Sequence, residues 1–185
     1  MTPDAVISRQ APLRSSLTRP QSVPVDDAWK ALDLAIGWIK HAETKAVANL
    51  AGAGVVGGIL YNLAKGHSDV RGWYLAAALV CAAAMLVAAV SAGIALRPRL
   101  RVRGHQSNRL YFGATRASGA TAAAYLPALR ALISDPEALL EEISEQVWVN
   151  SYIAGAKYRW AAIASGATLV GLVALGATAM IGLVG

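Results

Sequence analysis

Three apolar runs constrain this chain more than any other feature. Residues 46–64, 73–96 and 160–182 contain no Asp, Glu, Lys, Arg or His. A run of about 18 or more such residues is long enough to cross a bilayer as a helix. The first, with 19 residues, spans roughly 29 Å as a helix, enough for the hydrocarbon core. The spans carry no ionisable residue of the kind that proton- or ion-coupled transport usually leaves in a membrane. The net charge of +6 reads first as a topology signal and not as a nucleic-acid footprint.

The segments between the runs give the remaining organisation. Residues 1–26 hold Pro3, Pro12, Pro20 and Pro24 among Ser, Thr and Gln, without helical or strand periodicity. They read as a disordered cytosolic tail, with no apolar segment of the secretory-signal kind. Asp26 or Asp27 caps a helix over residues 27–45. Trp29, Ala31, Leu32, Ala35, Ile36, Trp38, Ile39 and Ala42 fall on one broad half of its wheel, and Lys30, Asp33, Lys40 and His41 on the other. This is an amphipathic helix. Glu43 lies on its apolar half, one turn before the first span, where a charge needs a partner. Lys40 or a base elsewhere in the chain can supply it.

The first span contains Gly54 and Gly58 in a small-xxx-small pattern, and the third repeats it with Ala167 and Gly171. Small residues at this spacing let helix backbones approach closely, within a chain or between copies. Asn49 and Asn62 read as interhelical hydrogen bonders. Residues 65–72 form a short external turn. Arg97-Pro98 ends the second span sharply. Residues 97–159 form the long polar module, opening with Arg97, Arg99, Arg101 and Arg103, which read as lipid anchors. A helix is expected over residues 121–133, with Pro127 inside it. Ser134 or Asp135 caps the next helix, with Pro136 at its first position in the second case. No proline follows Pro136, so that helix can run into the third span as a stalk. Leu140, Ile143, Val147, Ala154 and Tyr158 mark its seam.

Orientation follows from counting Lys and Arg. The first 45 residues hold six, the 65–72 turn two, and the 97–159 module nine. The first and third of these belong in the cytosol. The expected fold class is therefore an all-α membrane protein, with three transmembrane helices and a cytosolic helical module between the second and third. No Ser-His-Asp arrangement, P-loop or dinucleotide fingerprint occurs. His41, His67 and His105 fall in three different segments, so no metal site is expected. The single cysteine, Cys81, reads as a packing residue. No catalytic residue is assigned, and the chain is expected not to be an enzyme.

Several motifs, in order, carry a resemblance. Ala42-Glu43-Thr44-Lys45-Ala46 enters the Gly-rich first span. Asn108-Arg109-Leu110-Tyr111-Phe112-Gly113 follows the second. Glu145-Gln146 leads into Lys157-Tyr158 and the third. From Trp29 to Ile181 the chain resembles the transmembrane effector family of bacterial Pycsar antiphage systems. Glu43 stands where that family usually has Asp, and Arg109 where it usually has an aliphatic residue.

The resemblance implies a bacterial inner-membrane effector of abortive infection, with the lipid bilayer as its target. A partner pyrimidine cyclase would make cCMP or cUMP, and this cyclic pyrimidine mononucleotide would be the activating ligand rather than a cofactor. Membrane integrity would then be impaired. No nucleic acid is an expected partner, and a homo-oligomer is. Arg109, Tyr111, Phe112 and Lys157 offer the bases and aromatic faces that an anionic nucleotide requires. Glu43, paired with Lys157 or Arg159 across neighbouring helix ends, would form a switch. The competing reading is a small multi-pass scaffold or channel subunit without a nucleotide ligand, in which these charges only anchor helix ends. The topology makes a prediction. Reporter fusions at His67 and at the C-terminus should read external, and one at Ser118 cytosolic. An external signal at Ser118 overturns the orientation.

Overall fold

The computed structural model describes residues 25–66, 72–98, 108, 110 and 121–184. They form four α-helices: α1 (Val25–Gly66), α2 (Gly72–Leu96), α3 (Ala122–Ile133) and α4 (Pro136–Val184). Among the described residues no other regular element occurs. The helix expected over 27–45 and the apolar run 46–64 are one uninterrupted helix, as are the stalk before Trp160 and the run after it. α1, α2 and α4 are each long and apolar enough to cross a membrane. Most of the proline-rich segment and the arginine strip beyond Pro98 lie outside the described residues.

Local chemistry accounts for the helix ends. Asp26 and Asp27 lie inside the first turn of α1, which begins at Val25, and their charge favours the positive end of the helix dipole. Asp27 also accepts a 2.8 Å hydrogen bond from Lys30, and this contact raises the lysine pKa. Gly72 opens α2 with φ +61°, in the left-handed region that suits glycine. Thr121 caps α3. Between the two candidates for the α4 cap, Asp135 takes the role. Its carboxylate accepts from Ala138 N–H at 3.2 Å, and Pro136 occupies the first turn, where its missing N–H costs nothing. Ser134 instead ends α3.

The buried stripe of α1 is narrower than its apolar half. Ala28, Leu32, Ala35, Ala42, Ala46, Ala53, Val56 and Leu60 are buried, with Ile39 and Asn49 half-buried at the intervening steps. Read together, the steps alternate four and three residues, the spacing of a left-handed coiled coil. Trp29 and Trp38, on the expected apolar half, remain 39% and 45% exposed. A 3.5-residue seam covers only a thin stripe, and the tryptophans lie on its flanks. In α2 the buried stripe follows the same rule through Cys81, Met85, Ala88, Ala92 and Ala95. Alanine dominates these seams, and small side chains bring the helix axes close.

Three packed layers result. Ala53, Val56, Leu60, Cys81, Met85, Ala88 and Ala174 form one within the spans. Ala46, Ala92, Ala95 and Ala164 form a second, wholly of alanine. Ala28, Leu32, Leu132, Leu139 and Ile143 form the third, where α1, α3 and α4 meet away from the spans. Residue pairs at the contacts fix the directions. Asn49 meets Ser165, and Gly52 approaches Thr168, so α1 and α4 run parallel. Met85 meets Gly171 while Ala95 meets Lys157, so α2 runs against them. The outer faces expose Val55, Ile59, Leu79, Val87, Leu169 and Val173, as expected for helices solvated by hydrocarbon.

The two small-residue pairs differ in place. A Cβ on Gly171 would collide with the Met85 side chain, and Ala167 packs beside the same cluster. Gly54 and Gly58 have open space around the Cβ position, so among the described residues their face packs against no other helix. A contrast in stability follows. Gly171→Leu should lower the thermal stability of the detergent-solubilised protein by about 1–3 kcal/mol through overpacking. The Gly54→Leu/Gly58→Leu double variant should leave that stability near wild type and, if copies meet there, weaken cross-linking. Equal destabilisation by both variants would contradict this arrangement.

Candidate functional site

Lys157 stands on the buried stripe of α4, between Ala154 and Ala161. Hydrophobic neighbours alone would make this position costly for an ammonium, because each donor would lose its water. Three oxygens meet it. Its Nζ donates to Glu43 Oε1 at 2.8 Å, to the Ala95 carbonyl at 2.8 Å and to the Arg97 carbonyl at 3.5 Å. An ammonium has three donors, so the set is filled.

Each acceptor is placed by a local rule. The last carbonyls of a helix lack intrahelical partners. Pro98 has no N–H and stops α2 at Leu96, which leaves Ala95 and Arg97 with oxygens to satisfy. A cation at this end also complements the helix dipole. Glu43 comes from α1, one step after the buried Ala42. The ammonium therefore joins α1, α2 and α4 at the level where the charge-free runs begin. The Lys157 side chain is only 4% exposed, while that of Glu43 is 41% exposed. The pair is sealed on the base side and open to water on the acid side.

Neighbouring side chains extend the junction. The Tyr158 ring lies 6.3 Å from the His41 ring, and Lys45 Nζ sits 5.7 Å from its centre, within reach of a cation–π attraction. One layer deeper, Asn49 donates to Ser165 Oγ at 3.0 Å and to the Lys45 carbonyl at 2.8 Å. Towards the other end of the stalk, Asn108 is 1% exposed. Its Nδ2 donates to the Glu142 carbonyl at 2.8 Å and to Glu145 Oε2 at 3.0 Å, and its Oδ1 accepts from Leu110 N–H at 2.9 Å. The chain leaving α2 is thus held on α4 at two heights, by Lys157 at Arg97 and by the Glu142–Glu145 turn at Asn108.

The residues singled out in the sequence separate into groups. Glu43 and Lys157 meet directly. Arg159, the other candidate base, is exposed and makes no ion pair among the described residues. Lys40 is not the partner of Glu43. Arg109, Tyr111 and Phe112 lie outside the described residues. In this arrangement an anion reaches Lys157 only by displacing one of its present acceptors. The Ala95 and Arg97 carbonyls were not legible in the sequence, because backbone oxygens leave no residue signature. Pro98 was the one hint. Asn108 carried a motif, but its anchoring role depends on a partner 34 residues away.

These contacts predict distinct costs. Asn108→Ala should destabilise the protein by about 1–3 kcal/mol, since it removes an amide that satisfies buried backbone groups. Glu43→Gln should cost roughly 1–3 kcal/mol, below the 3–5 kcal/mol of a fully buried broken pair because Glu43 is part-exposed. Denaturant melts of the purified protein check both. A wild-type midpoint for Asn108→Ala would exclude an anchoring role.

Comparison with known proteins places this geometry in a family. A family model described as the Pycsar effector protein domain matches residues 27–184. The chain is 33% identical over 153 residues to the Pycsar effector protein PtPycTM of Propioniciclava tarda, covering 80% of this chain and 75% of that protein. No solved structure matches.

Proposed function

We propose, since this chain belongs to the Pycsar effector family, that it is a non-enzymatic membrane effector of bacterial antiphage defence. Its trigger is a cyclic pyrimidine mononucleotide, cUMP or cCMP, from a partner pyrimidine cyclase. Its action is loss of inner-membrane integrity, which kills the infected cell before phage mature. The N-terminal stalk of α1, the start of α4 and α3 lie in the cytosol, where the nucleotide is made.

The observation that carries this reading is the Lys157 junction. One buried cation ties the mouths of three apolar helices together, and Glu43, its charged partner among the described residues, is 41% exposed. An anionic nucleotide carries a phosphate suited to an ammonium. A phosphate that takes the place of Glu43 frees α1 from α4 while the base stays satisfied. Arg109, Tyr111 and Phe112 supply the further contacts to phosphate and base, and Arg159 a second cation at the same mouth. A ligand shifts such an equilibrium only by its differential affinity for the two states. Moving the population from about 1:99 to about 99:1 requires about 5.5 kcal/mol. One part-buried ion pair, at roughly 1–3 kcal/mol, falls short, so contacts beyond Lys157 are part of the mechanism.

The test expresses the chain with and without added nucleotide and reads uptake of a membrane-impermeant dye. Wild type should leak only with cUMP or cCMP. Glu43→Gln should leak without nucleotide, and Lys157→Gln should lose most of the response. Leakage that ignores both nucleotides removes the trigger. Wild-type behaviour of both variants removes the switch while leaving the effector role standing.

A further inference from the structure

α3 is out of keeping with its surroundings. Eleven of its twelve residues, AAAYLPALRALI, are apolar or proline, apart from Arg130, yet it buries only Leu132. Ala122, Leu126, Leu129 and Ile133 recur at four-three-four spacing along another face. Leu126 and Ile133 on that face are 47% and 60% exposed. The spacing is that of a helix seam awaiting a second helix.

Lipid is a poor candidate for covering it. Leu132 packs with Leu139 and Ile143, which stand about 25 to 32 Å along α4 from Trp160, where the third apolar run begins. Headgroups extend only about 5 to 8 Å beyond the hydrocarbon core. Even a tilt of about 40°, the upper end for such helices, leaves the Leu132 end of α3 well clear of them. Charge narrows the partner further. Arg130 flanks the seam, and Glu137 and Glu141 stand exposed at the start of α4. None of the three makes an ion pair among the described residues. One chain therefore offers the C-terminal end of the seam, a base and two acids close to the turn that joins α3 and α4. Copies in one membrane present these features to each other without a change of level, as a self-complementary contact requires.

We infer that the outward face of α3 is an interface between two copies of this chain, with the Leu126–Leu129–Ile133 seams in contact and Arg130 of one copy facing the acids of the other. The inference rests on the span assignment but not on the nucleotide trigger. It is also separate from the Gly54 and Gly58 face, which lies within the first span.

Cysteine cross-linking of the full chain in native membranes tests it, in a Cys81→Ala background and without nucleotide. Under mild oxidation Leu126→Cys and Ile133→Cys should give a dimer-sized band. Ala131→Cys, exposed on the opposite side of α3, should give little. Arg130→Glu should lower the Ile133→Cys dimer about tenfold, the scale of the two exposed ion pairs that a symmetric contact loses. Adding Glu137→Lys and Glu141→Lys should restore it. Equal cross-linking at Ala131 and the seam overturns the interface. So does a seam cysteine that stays monomeric because residues 111–120 of the same chain cover it, or one that forms an adduct with a different protein. Failure of the charge pair to restore cross-linking overturns the facing of base and acids. Because no nucleotide enters the assay, a failed trigger and a failed interface give different results.

Discussion

Removing an ammonium from water costs several kcal/mol unless all its donors are met, and the junction of the three long helices is organised around meeting them for Lys157. A carboxylate alone would fill one donor. The other two are filled by carbonyls that exist as free acceptors only because α2 stops at Leu96. The break before Pro98 and the burial of Lys157 are therefore mutually dependent. A longer α2 would withdraw its carbonyls into the helix ladder, and a shorter one would move them out of reach. The same cation neutralises Glu43 on α1, so a shift of any one of the three helix ends is felt by the other two.

That coupling is useful only if the helices are otherwise free to readjust. The seams near the junction are made largely of alanine, with Ala42, Ala46, Ala92, Ala95, Ala161 and Ala164 all buried. Alanine contacts bring backbones close but interlock less than leucine knobs do. In a bilayer the hydrophobic effect adds little between helices, so packing and polar contacts carry the association. Asn49 with Ser165, the Glu43–Lys157 pair and Lys45 over the Tyr158 ring are such contacts across α1 and α4.

The stalk obeys a different rule. There Leu32, Leu132, Leu139 and Ile143 form an ordinary apolar core, water supplies the driving force, and Asn108 satisfies the backbone that enters it. Lys157 thus stands between two differently built cores, one of larger aliphatic side chains in the stalk and one rich in alanine within the spans. The family match, over residues 27–184, spans both parts.

The sequence by itself determined the elements. Charge-free runs of sufficient length, the Arg97-Pro98 stop and the Asp135-Pro136 start all act locally, through the backbone and the nearest solvent, so they are readable one segment at a time. It also singled out Glu43, since a charge on an apolar helix face needs a partner wherever the helix lies. Only the tertiary structure decided that the partner is Lys157 and not Lys40 or Arg159. It alone showed that Trp29 and Trp38 flank the seam, and that Gly171 packs within the chain while Gly54 and Gly58 do not. These outcomes depend on which side chains of separate helices arrive at one height, and that is set by the close, coiled packing of the alanine stripes. The backbone carbonyls that complete the Lys157 site belong to the same class. No residue type encodes them, and they become ligands only because three helix ends converge.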